Sequence, residues 1–477
     1  AAVSSKGFLA FGPYVTLTPG LYKAEYLLKI SAPLGSTVGF IDVSINQEPI
    51  NRREIKGTAD KLETLTLTFE VTEENQGKVE TRLFLDENVG ANLKYVKIDY
   101  ANPPKKRKFK EVLFGNKNTR RQNPEVFVSK NSPLKKGYFA ILAATDGKDG
   151  VHGIFILNGA GKLVRTIPIN DSEPDLKGKI EKKNKYLPIE NRFPHGFYIS
   201  KNGDILFNDG DFGNTIRKID WCGNKIWTQV AQTHHSIEVH EGLIYTWEGY
   251  GIAVKDEVTG AQKKMILLKT IFARNEEFGV FNTHVVIASG QYHVKDPTHQ
   301  NDVEPLPLKY AKAFPMFNPG DLLISIRNLN LIAVIDKDTL KMKWWNQGLT
   351  TRQHDPDWQA DGTISIYNNK YGRYPNLSFS EIVSINPKDS SYKIIYSGAR
   401  DRAYSRMRGK HQVLKDGSIL MTMTQQGRVL AVDKNKKVVF EFINHYQEKS
   451  NLVVSEAIYL EPGYLDFNPR KETCTQK

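Results

Sequence analysis

HGFYISKNGDILF (195–207), HSIEVHEGLIYTW (235–247), HDPDWQADGTISIYNN (354–369) and HQVLKDGSILMTM (411–423) follow one plan. A histidine opens a short strand, and a turn and a second strand follow. A looser copy, HQNDVEPLPLKYAKAFPMFNPGDLLIS, starts at His299. Third and fourth strand patterns come after most copies, as in NTIRKIDWCGNKIWTQV (214–230), LIAVIDKDTLKMKWW (331–345) and GRVLAVDKNKKVVFEF (427–442). Four short strands per unit, repeated every few tens of residues, predict a β-propeller. Equivalent positions of successive blades face one axis, so histidines far apart in sequence are expected to meet there.

Six blades are expected over 125–460. The first contains KGYFAILAATDGKDGVHGIFILNGAGKLVRTI (136–167), and the others start near His195, His234/His235, His299, His354 and His411. Helical periodicity is weak throughout, so the fold class is all-β. Residues 1–102 differ from the rest. VTLTPGLYKAEYLLKI (15–30), STVGFIDVSI (36–45), KLETLTLTFEV (61–71), VETRLFLDE (79–87) and ANLKYVKIDY (91–100) alternate apolar and polar residues between Gly, Pro and Asn. They predict an N-terminal β-sandwich of roughly seven strands. Its GPYVTLTPGLYKAEY stretch is similar to carbohydrate-associated sandwich modules, although a docking or stabilising role is the simpler reading. Residues 103–124 read as a basic linker and 461–477 as a C-terminal tail.

The chain has 477 residues, a net charge of +13 and two cysteines, Cys222 and Cys474. That length suits a propeller with an accessory domain. No apolar run approaches the ~18 residues that span a bilayer. The chain opens AAVSSKG, which fits a cytosolic protein or a mature chain whose signal peptide is gone. Two cysteines exclude a disulfide scaffold and leave open whether the two pair. The basic clusters at 103–110, 116–122 and 177–185 lack the stacking aromatics and module signatures of nucleic-acid readers. They are read as solvated surface, with no nucleic-acid partner, that favours the approach of anionic substrates.

Four elements carry candidate chemistry. His234 and His235 are adjacent at the start of a blade. In THQND (298–302), His299 and Asn301 are two apart, which on a strand aims both at one face. Arg327 interrupts the apolar run LLISIRNLNLIAVID (322–336). In RQHDPDW (352–358), Arg352 and His354 are two apart and Asp355 and Asp357 follow. A buried guanidinium needs anions or acceptors. Arg327 either bridges to Asp355 or Asp357, or grips a tetrahedral anion together with imidazoles and an amide.

In order, HHSIEV, THQND…LLISIRNLNLIAVID, QHDPDWQADGTISIYNN and GKHQVLKDGSILMTM resemble the bacterial arylsulfotransferases, which work without a nucleotide donor. The resemblance covers roughly 130–450. It implies a six-bladed propeller, a periplasmic or secreted location and often a homodimer. It also implies a sulfuryl group moved from an aryl sulfate ester to a phenolic or other hydroxyl acceptor, with no cofactor and no metal. His354 matches the nucleophile that becomes sulfated. His299, Asn301 and Arg327 match the residues that hold the sulfuryl oxygens, and His235 matches the histidine of the HH motif. His234, Arg352 and His411 are further substrate-binding candidates.

Two competing readings are carried forward. One is a non-catalytic propeller that binds a sulfated or anionic glycan. The other is a metal site, disfavoured because no H-x-x-x-H or C-x-x-C spacing occurs. NDGDFGN (208–214) reads as a tight turn rather than a calcium loop.

Overall fold

The computed structural model describes residues 7–17, 20–72, 74–101, 111–112, 124–145, 151–170, 194–208, 215–281, 296–370, 379–447, 450–472 and 474. The three basic clusters lie wholly or almost wholly outside these residues, as does most of the 208–214 loop. The described chain is nearly all β, as the alternating patterns require, with one short α-helix at Leu268–Arg274. It divides into two compact units, one built on Ala1–Arg107 and the other on the chain from Lys108 onward.

In the first unit seven strands form two sheets. Gly7–Thr16, Lys78–Leu85, Thr37–Ile45 and Glu48–Lys56 make one, and Glu63–Val71, Gly20–Ser31 and Gly90–Tyr100 make the other. The period-2 alternation of Gly20–Ser31 sends Tyr22, Ala24, Tyr26, Leu28 and Ile30 inward. They meet Ile41, Val43, Val79 and Leu83 of the other sheet in one core.

The second unit holds, among the described residues, six sheets of four or more antiparallel strands. Five begin with a short strand at one sheet edge: His195–Ile199, Thr233–His240, Gln300–Pro305, His354–Trp358 and Lys410–Val413. In the remaining sheet the same place is taken by Val454–Leu460, beside Tyr138–Ala144, Val151–Asn158 and Leu163–Asn170. Each of these inner strands lies against the next, and Val454–Leu460 lies against both Lys410–Val413 and His195–Ile199. The inner strands therefore close a ring.

Adjacent sheets share apolar cores around that ring. Ile205 and Phe207 pack with Ile154 and Ile167 of the sheet before, and Trp358 and Ile366 pack with Leu323 and Val334. The hairpins between first and second strands turn on Gly203, Gly362 and Gly417, with φ of 88°, 83° and 81°. Only glycine takes that conformation without steric cost, which is why these three copies of the repeat carry an N-G or D-G turn.

Two closures tie the ends of the unit together. Glu125–Val128 adds a fifth strand to the sheet of Val438–Ile443, while Val454–Leu460 completes the sheet of Tyr138–Ala144. Both pair segments about 300 residues apart in sequence, so no local pattern announces them. Cys222 and Cys474 form a disulfide. With Tyr464 Oη donating to Ile199 O and Phe467 edge-on to Trp221, it pins Tyr464, Phe467 and Cys474 to the second sheet.

Candidate active site

The repeated histidines reach a common place because the inner strands are bulged at their first residues. The ladder register slips between His195 and Phe197, between His234 and Ile237, between Gln300 and Asp302, and between His354 and Asp357. At or beside these slips the backbone turns left-handed. Gly196 has φ 72°, His235 62°, His299 49° and Asp355 53°. An L-residue there is strained, and a bulge re-aims the side chains around it. The result is a pocket lined by His195, His235, Asn301, His354, Lys410 and Glu456, among others.

His235 stands at the centre of an imidazole cluster. Its ring centroid lies 5.0 Å from His195, 5.1 Å from His234, 5.0 Å from His299 and 6.2 Å from His354. Of the adjacent pair, His235 lines the cavity and His234 backs it. His234 Nε2 faces Gly249 O at 3.1 Å, and the two Nδ1 atoms are 2.9 Å apart. Because a carbonyl only accepts, Nε2 of His234 is the protonated nitrogen. In the neutral ring its Nδ1 then accepts from His235 Nδ1–H, which directs the lone pair of His235 to Nε2.

His354 is buried, 3% exposed. Its Nδ1 lies 2.7 Å from Asn369 Oδ1 and 3.1 Å from Arg352 O, and its Nε2 accepts the backbone N–H of Arg408 at 3.2 Å. Burial first, then the charge of Arg327, holds its pKa well below the ordinary imidazole value. It is therefore neutral at physiological pH, with its lone pair on Nε2.

His299 and Asn301 are placed differently from the strand reading. The strand begins at Gln300, and the left-handed His299 precedes it. Both reach the site, but through the bulge rather than a period of two. Asp296 holds His299, accepting from its backbone N–H at 3.0 Å and contacting Nδ1. Burial works against the Asp296 charge, yet the hydrogen bonds of His299 hold its carboxyl below the usual range. Asn301 Nδ2 donates to Gln353 O at 2.8 Å, and its Oδ1 has no hydrogen-bond partner among the described residues.

Arg327 does not lie inside a strand. Leu322–Ile326 ends before it, and Arg327 opens a single 3-10 turn, Arg327–Leu329, with its N–H donating to His299 O at 3.1 Å. The guanidinium is buried. Of the two carboxylates that the sequence offered it, Asp355 has other partners: its Oδ1 lies 2.6 Å from Lys410 Nζ and its Oδ2 2.9 Å from His411 Nδ1. His411 Nε2 is 2.8 Å from Ser365 Oγ. His411 thus belongs to a buried network beside the cavity rather than to its lining. Arg352 contributes its carbonyl to His354 while its own N–H is taken by Asn330 Oδ1.

Lys410 lies among buried acids. Its Nζ is 3.6 Å from Asp302 Oδ2 as well as 2.6 Å from Asp355. Burial pushes Asp302 up to about 6 and Glu456 up to about 8. Asp355 goes the other way, because Lys410 and His411 outweigh its burial. Ligand atoms of Asp355, Asp357 and His411 lie within 4.8 Å of one another, a spacing that fits a cation. Here Lys410 already supplies the positive charge, and both His411 nitrogens are engaged.

Sequence reading missed Asp296, Asn369, Arg408 and Lys410. None belongs to a histidine-led repeat position. Asn369 alone had a visible signal, as the last residue of the hairpin after His354.

No curated protein sequence matches the chain. Among solved structures, a protein of unknown function from Bacteroides caccae is 12% identical, covering 68% of this chain and 98% of that one at a TM-score of 0.43. Virginiamycin B lyase from Staphylococcus aureus is 12% identical, covering 52% of this chain and 69% of that one, with a TM-score of 0.32. The WD40 β-propeller domain of Doa1 is 10% identical, covering 73% of this chain and all of that one, with a TM-score of 0.37. No helix among the described residues is long and apolar enough to cross a membrane. The stretch that carries His299, Asn301, Arg327, His354 and His411, residues 275–445, matches the family model of the arylsulfotransferases.

Proposed function

We propose that this protein moves a sulfuryl group from an aryl sulfate ester to a hydroxyl acceptor through sulfated His354, on a six-bladed propeller preceded by a β-sandwich over 1–102. The observation that carries the reading is the state of His354: buried, neutral, with its proton held on Nδ1 and its lone pair on Nε2. Nε2 gives up the Arg408 N–H that it accepts and attacks sulfur, the S–O bond to the phenol breaks, and the departing oxygen takes a proton from His299. The Asp296 carboxylate balances the charge His299 carries as donor. Arg327, with the Asn301 Nδ2 hydrogen that Gln353 O does not take, faces the charge that develops on the sulfuryl oxygens. In the second half an acceptor hydroxyl gives its proton back to His299 and its oxygen attacks sulfur. The S–N bond then breaks. The Cys222–Cys474 disulfide favours an oxidising compartment, in keeping with a periplasmic or secreted location.

Mixing the protein with an aryl sulfate and no acceptor is expected to release one equivalent of phenol in a burst, leaving acid-labile sulfate on the chain. Tight binding of the ester without a burst would turn the reading into that of a glycan- or anion-binding propeller.

Arg327→Lys keeps the charge and loses the planar fork. It is expected to cut kcat/KM by about 10²–10³-fold, the scale of one lost oxyanion donor, with little change in melting temperature. Sulfate should raise the melting temperature of the wild type more than that of the variant. Equal stabilisation of both would remove Arg327 from the anion site.

A further inference from the structure

We propose that Asn369 is the positioning residue of His354, locking the imidazole into the tautomer that carries its proton on Nδ1 and its lone pair on Nε2. This inference rests on the proposed function for its catalytic consequence. Its structural content stands independently.

Asn369 is fully buried, at the end of the hairpin that follows His354. Its Nδ2 donates to two carbonyls, Ser405 O at 2.9 Å and Arg408 O at 2.5 Å. Both partners can only accept, so they fix the nitrogen end of the amide, and Oδ1 must be the atom 2.7 Å from His354 Nδ1. An amide oxygen is itself only an acceptor, so Nδ1 of His354 carries the proton. The Arg352 carbonyl at 3.1 Å makes the same demand on the same nitrogen.

The other side of the ring gives the same answer. Nε2 faces the backbone N–H of Arg408 at 3.2 Å, a donor that only an unprotonated nitrogen can meet. The segment that supplies it is held in an unusual path. Arg408 has φ 62° and Gly409 φ 119°, and a side chain at Gly409 would overlap the buried ring of Tyr367. One short segment thus provides both the carbonyl that orients Asn369 and the N–H that reads the lone pair.

Two consequences follow. The ring is aimed before any substrate arrives, and the alternative tautomer, with Nε2–H, would leave two acceptors and one donor facing the wrong partners. When Nε2 becomes sulfated, the ring turns cationic while keeping Nδ1–H, and the Asn369 carbonyl dipole is already turned to that charge. The charged and titratable groups that bear on the ring besides this clamp are Arg327, His299 and His195.

Nitrogen-15 NMR of the histidine-labelled full-length protein tests the lock without reference to activity. In the wild type His354 is expected to show a protonated, pyrrole-type Nδ1 and a bare, pyridine-type Nε2. Asn369→Ala should mix the tautomers. Asn369→Asp keeps an acceptor at the ring and should keep Nδ1–H, while its negative charge moves the acid limb of the kcat profile to higher pH. Loss of the correct tautomer should lower kcat by about 10²–10⁴-fold, the scale seen when an orienting acid is replaced in a serine protease, with KM nearly unchanged.

An Nε2–H form in the wild type, or an unaltered tautomer in Asn369→Ala, would overturn the proposal. If Asn369→Ala does not fold, the wild-type tautomer and the Asn369→Asp profile still decide it. A wild type with the expected tautomer that never acquires sulfate at His354 would sink the transfer reading and leave the lock standing.

Discussion

Replacing His354 by asparagine is expected to remove both the phenol burst and the turnover of an aryl sulfate, a loss of about 10⁴-fold or more on the scale of a deleted nucleophile. Stability should change far less. Asparagine can keep a donor towards the Asn369 and Arg352 oxygens and an acceptor towards Arg408, the three contacts that His354 makes. The ring is also not a piece of the apolar cores between the sheets. A second variant separates chemistry from architecture. His354→Gly leaves room for free imidazole, and added imidazole is expected to restore part of the phenol release, now delivering the sulfuryl group to the added base. Radioactive sulfate bound to the His354→Asn chain after mixing with labelled ester would show that another residue is the nucleophile. The neighbouring imidazoles, His235 and His299, would then be the first to examine.

How far the sequence led can be judged at this same histidine. That His195, His235, His354 and His411 fall at or near the start of equivalent strands was legible, because a strand–turn–strand repeat with a glycine turn is written locally. The four-strand units and the arylsulfotransferase resemblance followed from it. The aim of the side chains was not legible. A period of two placed His299 and Asn301 on one face of a strand, whereas His299 stands outside the strand in a left-handed conformation and the register slips at Asn301. Likewise Arg327 reads as a strand residue amid apolar neighbours but opens a 3-10 turn. Bulges of this kind depend on what the neighbouring sheets leave room for. The Cβ of a residue at Gly196, for example, would run into the His235 carbonyl of the next sheet.

The closing strands were invisible for a different reason. Glu125–Val128 and Val454–Leu460 find partners only when the ring is complete. Asn369 and Lys410 were missed because their importance lies in which atoms face them, not in where they fall in a repeat.

Lys410→Met is expected to be the most destabilising of the site substitutions. Removing one member of a buried ion pair costs about 3–5 kcal/mol, since the partner charge stays behind. Lys410 has two close partners, Asp355 at 2.6 Å and Asp302 at 3.6 Å, with Glu456 beside it in the cavity lining. Burial works against its own charge, but Asp302 and Asp355 hold its pKa well above the ordinary lysine value.

The pH dependence distinguishes this ionic cause from loss of packing. In the folded protein Asp302 is pushed up to about 6 and Glu456 up to about 8, from ordinary values of 3.8 and 4.5. Between the ordinary and the raised values, the folded chain therefore binds more protons than the unfolded one. Stability contributed by these groups falls as pH rises through that window, from about 4 to about 8. Lys410 opposes the rise at both carboxyls and holds Asp355 ionised. Without it all three are driven towards the protonated form, which costs little at low pH and much at high pH. Urea unfolding of wild type and Lys410→Met is expected to show a small gap near pH 5 that widens steadily to pH 8. A gap of the same size at both ends would mean that the methionine merely packs badly, and the lysine would lose its place as the counter-charge of the site.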